Sequence, residues 1–505
     1  MAMIGYPEIF LAVICFLVLG YLTNKSQLLI NWPLVGMLPQ MLLNVHRLYD
    51  WLIYIAEKSE GTYLVRGPWF ANMDMLGTVN PANVQYIMST NFANYPKGTE
   101  FQKMFDIFGD GLFSSDYDSW KYQRKIAKSL TTTRQFLQVL VKTSRDKVEK
   151  GLIPVLEHVC THGLVVDLQS LVHRFSLDIG ITLVTGYDPQ NLSINLPRDP
   201  LTEAMDVVED IIFYRHITPE IFWKLQRWLG FGLEPKMKKA WDAMDNIIAD
   251  YISRKREELG KQKNLLKDGE FADLLTSYIN MEGEISRPDK DQFMRDTMFN
   301  FLVAGRENSL SWFFWLVYTN PRALAKIREE LNSLVPANEG DRQQLWHQFD
   351  NEDLKKLVYL HAAMCESLRL YSAVPVEHKA PIEPDVLPSG HRVNPKMKII
   401  FSAFVMGRMK FIWGEDCLEF KPERFITEGG RIKQVPSYKF VAFNTGPRTC
   451  IGKEIALTQM KAMAAAVIHN YDVQVVEGHS VVPHCASILL HMKHGLMVRI
   501  RRRWK

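Results

Sequence analysis

Ten residues near the C-terminal end, FNTGPRTCIG from Phe443 to Gly452, constrain the fold more than any other part of this sequence. They place Cys450 between two glycines, with Arg448 two residues before it. Glycine lets the backbone turn tightly and bring amide N–H groups towards a sulfur atom. The next residues, KEIALTQMKAMAAAVI, have a helical pattern, and a helix N-terminus favours a negative charge. The pattern indicates a thiolate, the form in which cysteine binds a metal; the alternative is a buried structural cysteine.

Composition limits the class of protein. The chain has 505 residues, 47% of them hydrophobic, which is ample for a large core. Its net charge of +4 is too mild to indicate nucleic-acid binding, but it suits contact with an anionic membrane surface. The 6 cysteines are scattered and form no CxxC pair, so we expect neither a disulfide framework nor a zinc site. This cysteine usage is typical of a reduced, cytosol-facing protein.

The N-terminus differs from the rest of the chain. IFLAVICFLVLGYL, Ile9 to Leu22, has no charge and, extended back to Met3, approaches the roughly 20 residues that span a bilayer. A cleaved signal peptide would need an early basic region, and a core helix would need packing partners. We therefore predict a single membrane anchor at residues 1–24, a proline-containing linker at 25–40 and a cytosolic catalytic domain at 41–505.

Helical patterns dominate from Ser114 to Leu370. The apolar run from Asp291 to Thr319 predicts one long central helix, which Pro321 ends. Strand-like runs are few and short, and they do not alternate regularly with helices as in a doubly wound fold. The sequence therefore predicts a mainly α fold with small β-sheets. The strand-like runs are Thr62 to Val65, Lys398 to Phe401 and Val473 to Val476.

Two helical pairs of charged or aromatic residues carry further information. Glu366 and Arg369, in CESLRLY, are spaced to pair on one helix face, although such pairs are common on surfaces and contribute little there. Trp120 and Arg124, in DSWKYQRK, are one helical turn apart; a buried aromatic beside a solvated charge is the alternative reading.

The stretch FLVAGRENSLSW removes side-chain bulk in the middle of the predicted central helix. Ala304 and Gly305 leave room there, although glycine costs about 1 kcal/mol relative to alanine in a helix. A flat cofactor or dioxygen could use that room; a close helix–helix contact is the alternative.

Together these motifs identify the chain as a member of the cytochrome P450 superfamily, because Phe443, Gly446, Arg448, Cys450 and Gly452 fall at the spacing of its cysteine loop. The resemblance implies the P450 fold and heme b (iron), with Cys450 as the proximal ligand. A thiolate axial ligand favours O–O cleavage. The family resemblance also implies that Glu366, Arg369 and Arg424 form a buried structural triad. The implied heme-binding residues are Trp120, Arg124, Ala304, Gly305, His378, Phe443, Arg448 and Gly452. For His378, a hydrogen-bonded loop histidine is nearly as good a reading.

The dioxygen groove departs from the family pattern Ala-Gly-x-Asp/Glu-Thr. Here the acid is Glu307, but Asn308 stands in the place of threonine, and Ser309 follows. The catalytic candidates are these three residues. An amide hydrogen-bonds but does not pass a proton on easily. Water or Ser309 therefore replaces the threonine, or the chemistry differs.

Stretches such as NYPKG, LVTGYDP, DVLPSGH and SILLHMKHGL resemble the plant fatty-acid and alkane hydroxylases, and most of all the mid-chain alkane hydroxylases, which carry AGRDTT. The resemblance implies a monooxygenase on the endoplasmic reticulum membrane. It would take O2, a long-chain alkane or fatty-acyl substrate and electrons from NADPH through a reductase. The alternatives are specialised metabolism, such as phenol coupling or the hydroxylation of an alkaloid or terpenoid, reductase-independent peroxide rearrangement, and a heme carrier or sensor. The candidate pocket residues are Phe299, Leu302, Val303, Ser372 to Pro375, Ile488 and Leu489.

Overall fold

A computed structural model describes residues 28–261, 273–281, 289–306, 308–335, 349–395 and 397–504. Helices make up most of this part of the chain. The α-helices are α1 Leu38–Asn44, α2 Leu48–Lys58, α3 Pro81–Gln85, α4 Gly98–Met104, α5 Tyr117–Thr131, α6 Arg134–Lys147, α7 Ile153–His162, α8 Leu168–Thr185, α9 Pro200–Ile217, α10 Glu220–Leu229, α11 Glu234–Lys261, α12 Leu274–Asn280, α13 Lys290–Ala304, α14 Ser309–Tyr318, α15 Pro321–Asn332, α16 Asn351–Lys356, α17 Val358–Leu370, α18 Ala403–Met406, α19 Lys410–Trp413 and α20 Lys453–Asn470.

The β-structure is small, as the sequence predicts. The strands are β1 Thr62–Val65, β2 Met75–Thr78, β3 Val165–Asp167, β4 Glu377–Lys379, β5 Asp385–Val386, β6 Arg392–Val393, β7 Lys398–Phe401, β8 Tyr471–Val475 and β9 Met497–Arg502. They form three sheets with the orders β1-β2-β7-β4, β3-β9-β8 and β5-β6. In the first sheet β2 and β7 are parallel, whereas β1 and β4 pair antiparallel to their neighbours. Two of the predicted strands have the predicted bounds, and the third lies at Tyr471–Val475.

The core lies where α8, α13, α14, α17 and α20 pack together. The α8 helix is buried along nearly its whole length because most of its residues are apolar, and its buried acid Asp178 is paired with Lys147 at 3.0 Å. Asp167 accepts a hydrogen bond from the Gln169 N–H at its start, and Gly186 ends it with a φ of 79°. One of these helices, α17, packs against Pro422–Phe425, which precedes the cysteine loop, Phe443 to Gly452.

The prediction of one long central helix is wrong. The apolar run forms two helices, α13 and α14, and helical structure is interrupted between Ala304 and Ser309. Gly305 lies against Gly180 of α8, and a Cβ added to Gly305 would be 3.3 Å from the Gly180 Cα. Arg306 lies outside both helices, and its side chain forms ion pairs with Asp206 and Glu209. Gly305 is unfavourable in a helix, and the neighbouring Arg306 forms two ion pairs with another helix. Together these effects outweigh the local helical preference.

The predicted anchor at residues 1–24 lies outside the described residues, and so does the beginning of the predicted linker. Among the residues that the structure describes, no helix combines the length and the apolar character needed to cross a bilayer. From position 28 onwards the chain packs on the domain: Leu29 and Met37 join a small cluster with Trp51, Ile55 and Val65.

Candidate active site

A cavity of about 620 Å³ runs between α13, the first sheet and the cysteine loop. Its wall includes residues from α5, α9, β4 and the C-terminal segment at Ser487–Leu489. Most of the residues that the sequence nominates lie on this wall. They are Trp120, Arg124, Ala304, Gly305, Ser309, His378, Phe443, Arg448, Cys450 and Gly452.

The cysteine loop has a fixed backbone. The Cys450 N–H donates to the Phe443 carbonyl oxygen at 2.8 Å, which closes the loop. Gly446 has a φ of +64°, and a Cβ there would collide with the carbonyl oxygen of Met88. The α20 helix begins at Lys453, three residues after the cysteine, so its N-terminus is close to the thiol. The loop therefore presents one accessible thiol to the cavity, in a setting that favours a thiolate.

Two arginines and a tryptophan flank the cysteine. An Arg448 Nη donates to the Asp116 carboxylate at 2.6 Å and to the Ser115 carbonyl oxygen at 2.8 Å. An Arg124 Nη donates to the Thr449 carbonyl oxygen at 2.5 Å. The Trp120 ring lies 4.6 Å from the guanidinium of Arg448 and 5.7 Å from that of Arg124. Both cations are thus held near the thiol by contacts that leave their charge on the cavity wall.

Two lysines that sequence reasoning missed, Lys97 and Lys379, join Arg124 and Arg448 in one cationic group, and His378 lies beside them. Both ring nitrogens of His378 and the Nζ of Lys379 are buried without a hydrogen-bond partner among the described residues. Burial lowers the pKa of Lys379 to about 8 and holds the pKa of His378 well below its usual value. Burial also lowers the pKa of Lys97, which lies on the cavity wall. Lys97 is part of the quoted NYPKG and Lys379 follows His378 directly, so their positions were visible in the sequence.

The cationic group fits the two carboxylates of heme b. Four basic side chains, Lys97, Lys379 and the two arginines, are balanced locally by the carboxylates of Asp116 and Glu377 only in part. Glu377 also accepts a hydrogen bond from the Asn444 side chain at 2.9 Å, which ties β4 to the cysteine loop. The unpartnered donors of His378 and Lys379 and the Arg448 Nε are acceptor-seeking groups at one place. Ala304 lies on the cavity wall, and its small side chain leaves room there for a flat ring system. At Gly305 the space of the missing Cβ is taken by Gly180 of α8, which is the close helix–helix contact that the sequence offered as the alternative.

One face of α13 lines the cavity. Thr297, Asn300, Phe301 and Ala304 follow the helical spacing and lie on the wall. Most of the other pocket candidates also lie there: Val303, Ala373 to Pro375, Ile488 and Leu489. Phe299, Leu302 and Ser372 do not: they are buried in the protein away from the wall. The interruption after Ala304 could not be foreseen from periodicity, and it changes which residues reach the cavity.

The candidate residues of the dioxygen groove differ in their position relative to the cavity. Ser309, at the start of α14, lies on the cavity wall and is 1% exposed. Asn308 is fully buried but is not part of that wall, and its amide group lies beside the ring of His173. Glu307 lies outside the described residues. The hydroxyl group nearest in sequence to the missing threonine is therefore the one that faces the cavity.

The charged triad is confirmed. Arg369 donates to both carboxylate oxygens of Glu366 at 2.7 Å, and Arg424 Nε lies 3.3 Å from the same carboxylate. Arg369 also donates to the carbonyl oxygens of Gly407, Cys417 and Glu419. Glu366 and Arg369 have fully buried side chains, so the pair fixes the chain between α18 and the cysteine loop rather than facing solvent.

Comparison with known proteins gives matches over nearly the whole chain. The family model for Cytochrome P450 matches residues 27–498. The chain is 43% identical over 514 residues to Alkane hydroxylase MAH1 of Arabidopsis thaliana, covering 100% of both proteins. It is 39% identical over 507 residues to Noroxomaritidine synthase 2 of Narcissus pseudonarcissus, covering 99% of this chain and 97% of that protein. It is 37% identical over 503 residues to Cytochrome P450 86B1 of Arabidopsis thaliana, covering 98% of this chain and 89% of that protein.

Proposed function

The chain belongs to the cytochrome P450 family of heme monooxygenases, and we propose that it hydroxylates a long aliphatic chain. Members of this family use heme b and electrons from a reductase partner, typically supplied by NADPH. The observation that carries the proposal is the position of Cys450 on the wall of a largely apolar cavity, beside a cationic group that suits the heme carboxylates. The match to an alkane hydroxylase over the full length of both chains supports the substrate class.

Each part of the site has a role in this proposal. Cys450 would hold the heme iron, and Lys97, Arg124, His378, Lys379 and Arg448 would hold the heme carboxylates. When bound, the heme supplies the activation of dioxygen, which requires protons. The Ser309 hydroxyl would hold and pass such a proton at its Oγ atom. Glu307 and Asn308 stay candidates for the same relay.

The cavity wall suits an extended hydrocarbon. Phe101 and Phe105 stack with ring centroids 4.1 Å apart, and further apolar residues continue the wall towards α2 and β1. Burial of each methylene group against such a wall stabilises binding by about 0.8 kcal/mol. A long chain therefore gains more from this cavity than a compact polar molecule does. The apolar side chains on the wall include Phe101, Phe105, Phe108, Phe113, Phe213, Leu48, Leu52, Val65 and Met75.

We also propose that the catalytic domain rests on the endoplasmic reticulum membrane. The α10 helix exposes a row of large apolar side chains, of which Trp228 is 80% exposed and Ile221 64%. Its buried side is held by Trp223 and by the ion pairs of Arg227 with Asp106 and Glu234. A surface helix that is this apolar on its outer side favours a membrane interface. Removal of the exposed apolar groups, as in Ile221→Ser with Trp228→Ser, should reduce flotation of the chain with lipid vesicles.

Product analysis tests the proposed function. Membranes that contain the chain and a reductase would receive a long-chain alkane, a fatty acid or a phenolic amine, each with and without NADPH. NADPH-dependent alcohols from the alkane or the acid are the expected result. The absence of oxygenated lipid, together with a product formed without NADPH, would contradict it.

Oxidative coupling of a phenol in specialised metabolism is the second candidate. The observation that favours it is the 39% identity over nearly the full length to noroxomaritidine synthases. In the product analysis, a coupled phenol formed with NADPH, without any alcohol from the lipids, is the result that would select it.

A further inference from the structure

In addition to the cationic group, the cavity wall carries the carboxylate of Glu209 of α9. The residue is 3% exposed, and it lies on the wall together with Arg306 and Ser487. Neither the cysteine loop nor the cationic group that faces the heme carboxylates includes any of these three residues. A buried carboxylate is costly unless it is fully paired, so its partners decide what it can do.

The pairing of Glu209 is shared with a second acid. Arg306 donates to the Glu209 carboxylate at 3.0 Å and to the Asp206 carboxylate at 2.5 Å. One guanidinium thus serves two carboxylates. The nearby histidines do not add positive charge, because burial lowers the pKa of His491 to about 4 and holds that of His173 well below its usual value. Among the described residues around Arg306, the carboxylates of Asp206 and Glu209 therefore outnumber the positive charges.

The next acid on the same helix, Asp210, does not supply a positive charge to Glu209. Asp210, on the same helix, is paired with His484, whose Nε2 lies 3.2 Å from a carboxylate oxygen. Asp210 is not part of the cavity wall. Of these two neighbouring acids on α9, Glu209 therefore lies on the cavity wall and Asp210 does not.

One oxygen of Glu209 has acceptor capacity left. Among the described residues, the one hydrogen-bond partner of Glu209 apart from Arg306 is the Ser487 hydroxyl, which lies 3.4 Å from Oε2. That separation exceeds the roughly 2.5–3.0 Å of a good O–H···O bond, and a carboxylate offers about four acceptor positions. Burial raises the pKa of Glu209 to about 7, which reflects the incomplete compensation of its charge.

We propose that Glu209 is a specificity-determining residue that accepts a hydrogen bond from a hydroxyl or protonated amine group of the substrate. The substrate would then be an aliphatic chain that carries such a donor, rather than an unsubstituted hydrocarbon. The inference rests on the proposed function, since it concerns the substrate of the same cavity. It explains why an apolar binding wall retains an acid that Arg306 only partly neutralises.

Binding of four compounds of equal chain length to the heme-loaded protein tests the inference. Dodecane has no polar group, dodecyl methyl ether only accepts hydrogen bonds, and dodecanol and protonated N,N-dimethyldodecylamine both donate. Spectral titration should give dissociation constants about ten- to a hundredfold lower for the alcohol and the amine than for the alkane and the ether. Equal binding of all four compounds would overturn the inference. Binding of only one of the two donors would identify which group Glu209 accepts.

Variants connect that preference to one side chain. Glu209→Met should remove the preference, whereas Asp210→Asn, a neighbouring acid off the wall, should keep it. If Glu209→Met fails to bind heme, Glu209→Gln decides: the amine should lose its advantage, and the alcohol should keep part of its own. An amine preference that survives either variant, or an alcohol preference that survives Glu209→Met, overturns the inference.

The product analysis is read separately. A donor preference that depends on Glu209, without hydroxylation of any of these compounds, would refute the proposed function but not the role of Glu209 in binding. Hydroxylation of these compounds without a preference for the donors would refute the role of Glu209 but not the proposed function.

Discussion

Replacement of Ser309 by alanine should uncouple electron use from product formation. Ser309 is the hydroxyl residue of the AGRENS stretch that lies on the cavity wall, whereas Asn308 does not. Proton transfer by a positioned side chain contributes about 10²–10⁴-fold to a rate. Because water can take part of the space that the hydroxyl leaves, we expect a loss at or below the lower end of that range. Product formed per NADPH consumed should fall at least about tenfold, with hydrogen peroxide making up the difference.

The substitution should change function without changing the fold. Ser309 begins α14, where alanine has the better helical propensity by about 0.5 kcal/mol. The loss of one hydrogen bond costs about 1 kcal/mol, so the free energy of unfolding should change by no more than about 1 kcal/mol. Any loss of coupling would therefore report on the cavity itself.

The assay measures NADPH consumption, alcohol and hydrogen peroxide in the same reaction. Ser309→Thr keeps the hydroxyl and should keep most of the coupling. Ser311→Ala is the matched control, because it removes a buried hydroxyl of the same helix that is not on the wall, and it should leave the coupling unchanged. Retained coupling in Ser309→Ala, with loss in Asn308→Ala, would refute this reasoning and return the relay to position 308.

Three further results are expected. Cys450→Ala should abolish the heme-thiolate absorption of the carbon monoxide complex, and a retained thiolate spectrum would exclude Cys450 as the ligand. Gly446→Ala should destabilise the protein by at least about 2 kcal/mol, because φ is +64° and a Cβ would meet the Met88 carbonyl; Gly429→Ala, in open surroundings, should have little effect on the melting temperature. The advantage of the dodecylamine over dodecane should increase as pH rises through about 7, because the raised pKa of Glu209 leaves its carboxyl neutral below that value and ionised above it. Glu209→Gln should remove that pH dependence, and a dependence that persists would assign it to another group.

The cysteine loop and the triad were predictable because short-range chemistry determines them. Gly446 has a backbone conformation that favours glycine, and α20 follows Gly452 as the apolar pattern indicates. Glu366 and Arg369 have a helical spacing that brings them together wherever the helix packs. Their burial, which makes the pair structural, came from the family resemblance rather than from the spacing.

The central helix shows where periodicity fails. Its interruption depends on the contact of Gly305 with Gly180 and on the ion pairs of Arg306 with α9, all of them distant in sequence. The same limitation hid Lys97 and Glu209, which reach the cavity only through tertiary packing, and Lys379, which is buried beside His378. A lysine or glutamate in isolation is normally a solvated residue, so sequence alone gives little reason to select these three.

The source of the oxygen atom in the product tests the central claim most directly. The purified chain, a reductase, NADPH and dodecanol would be incubated under oxygen-18 gas, and the product would be analysed by mass spectrometry. The account predicts a newly hydroxylated chain that carries one oxygen-18 atom and forms only with NADPH and intact Cys450. An unlabelled product, or one formed without NADPH, would contradict it.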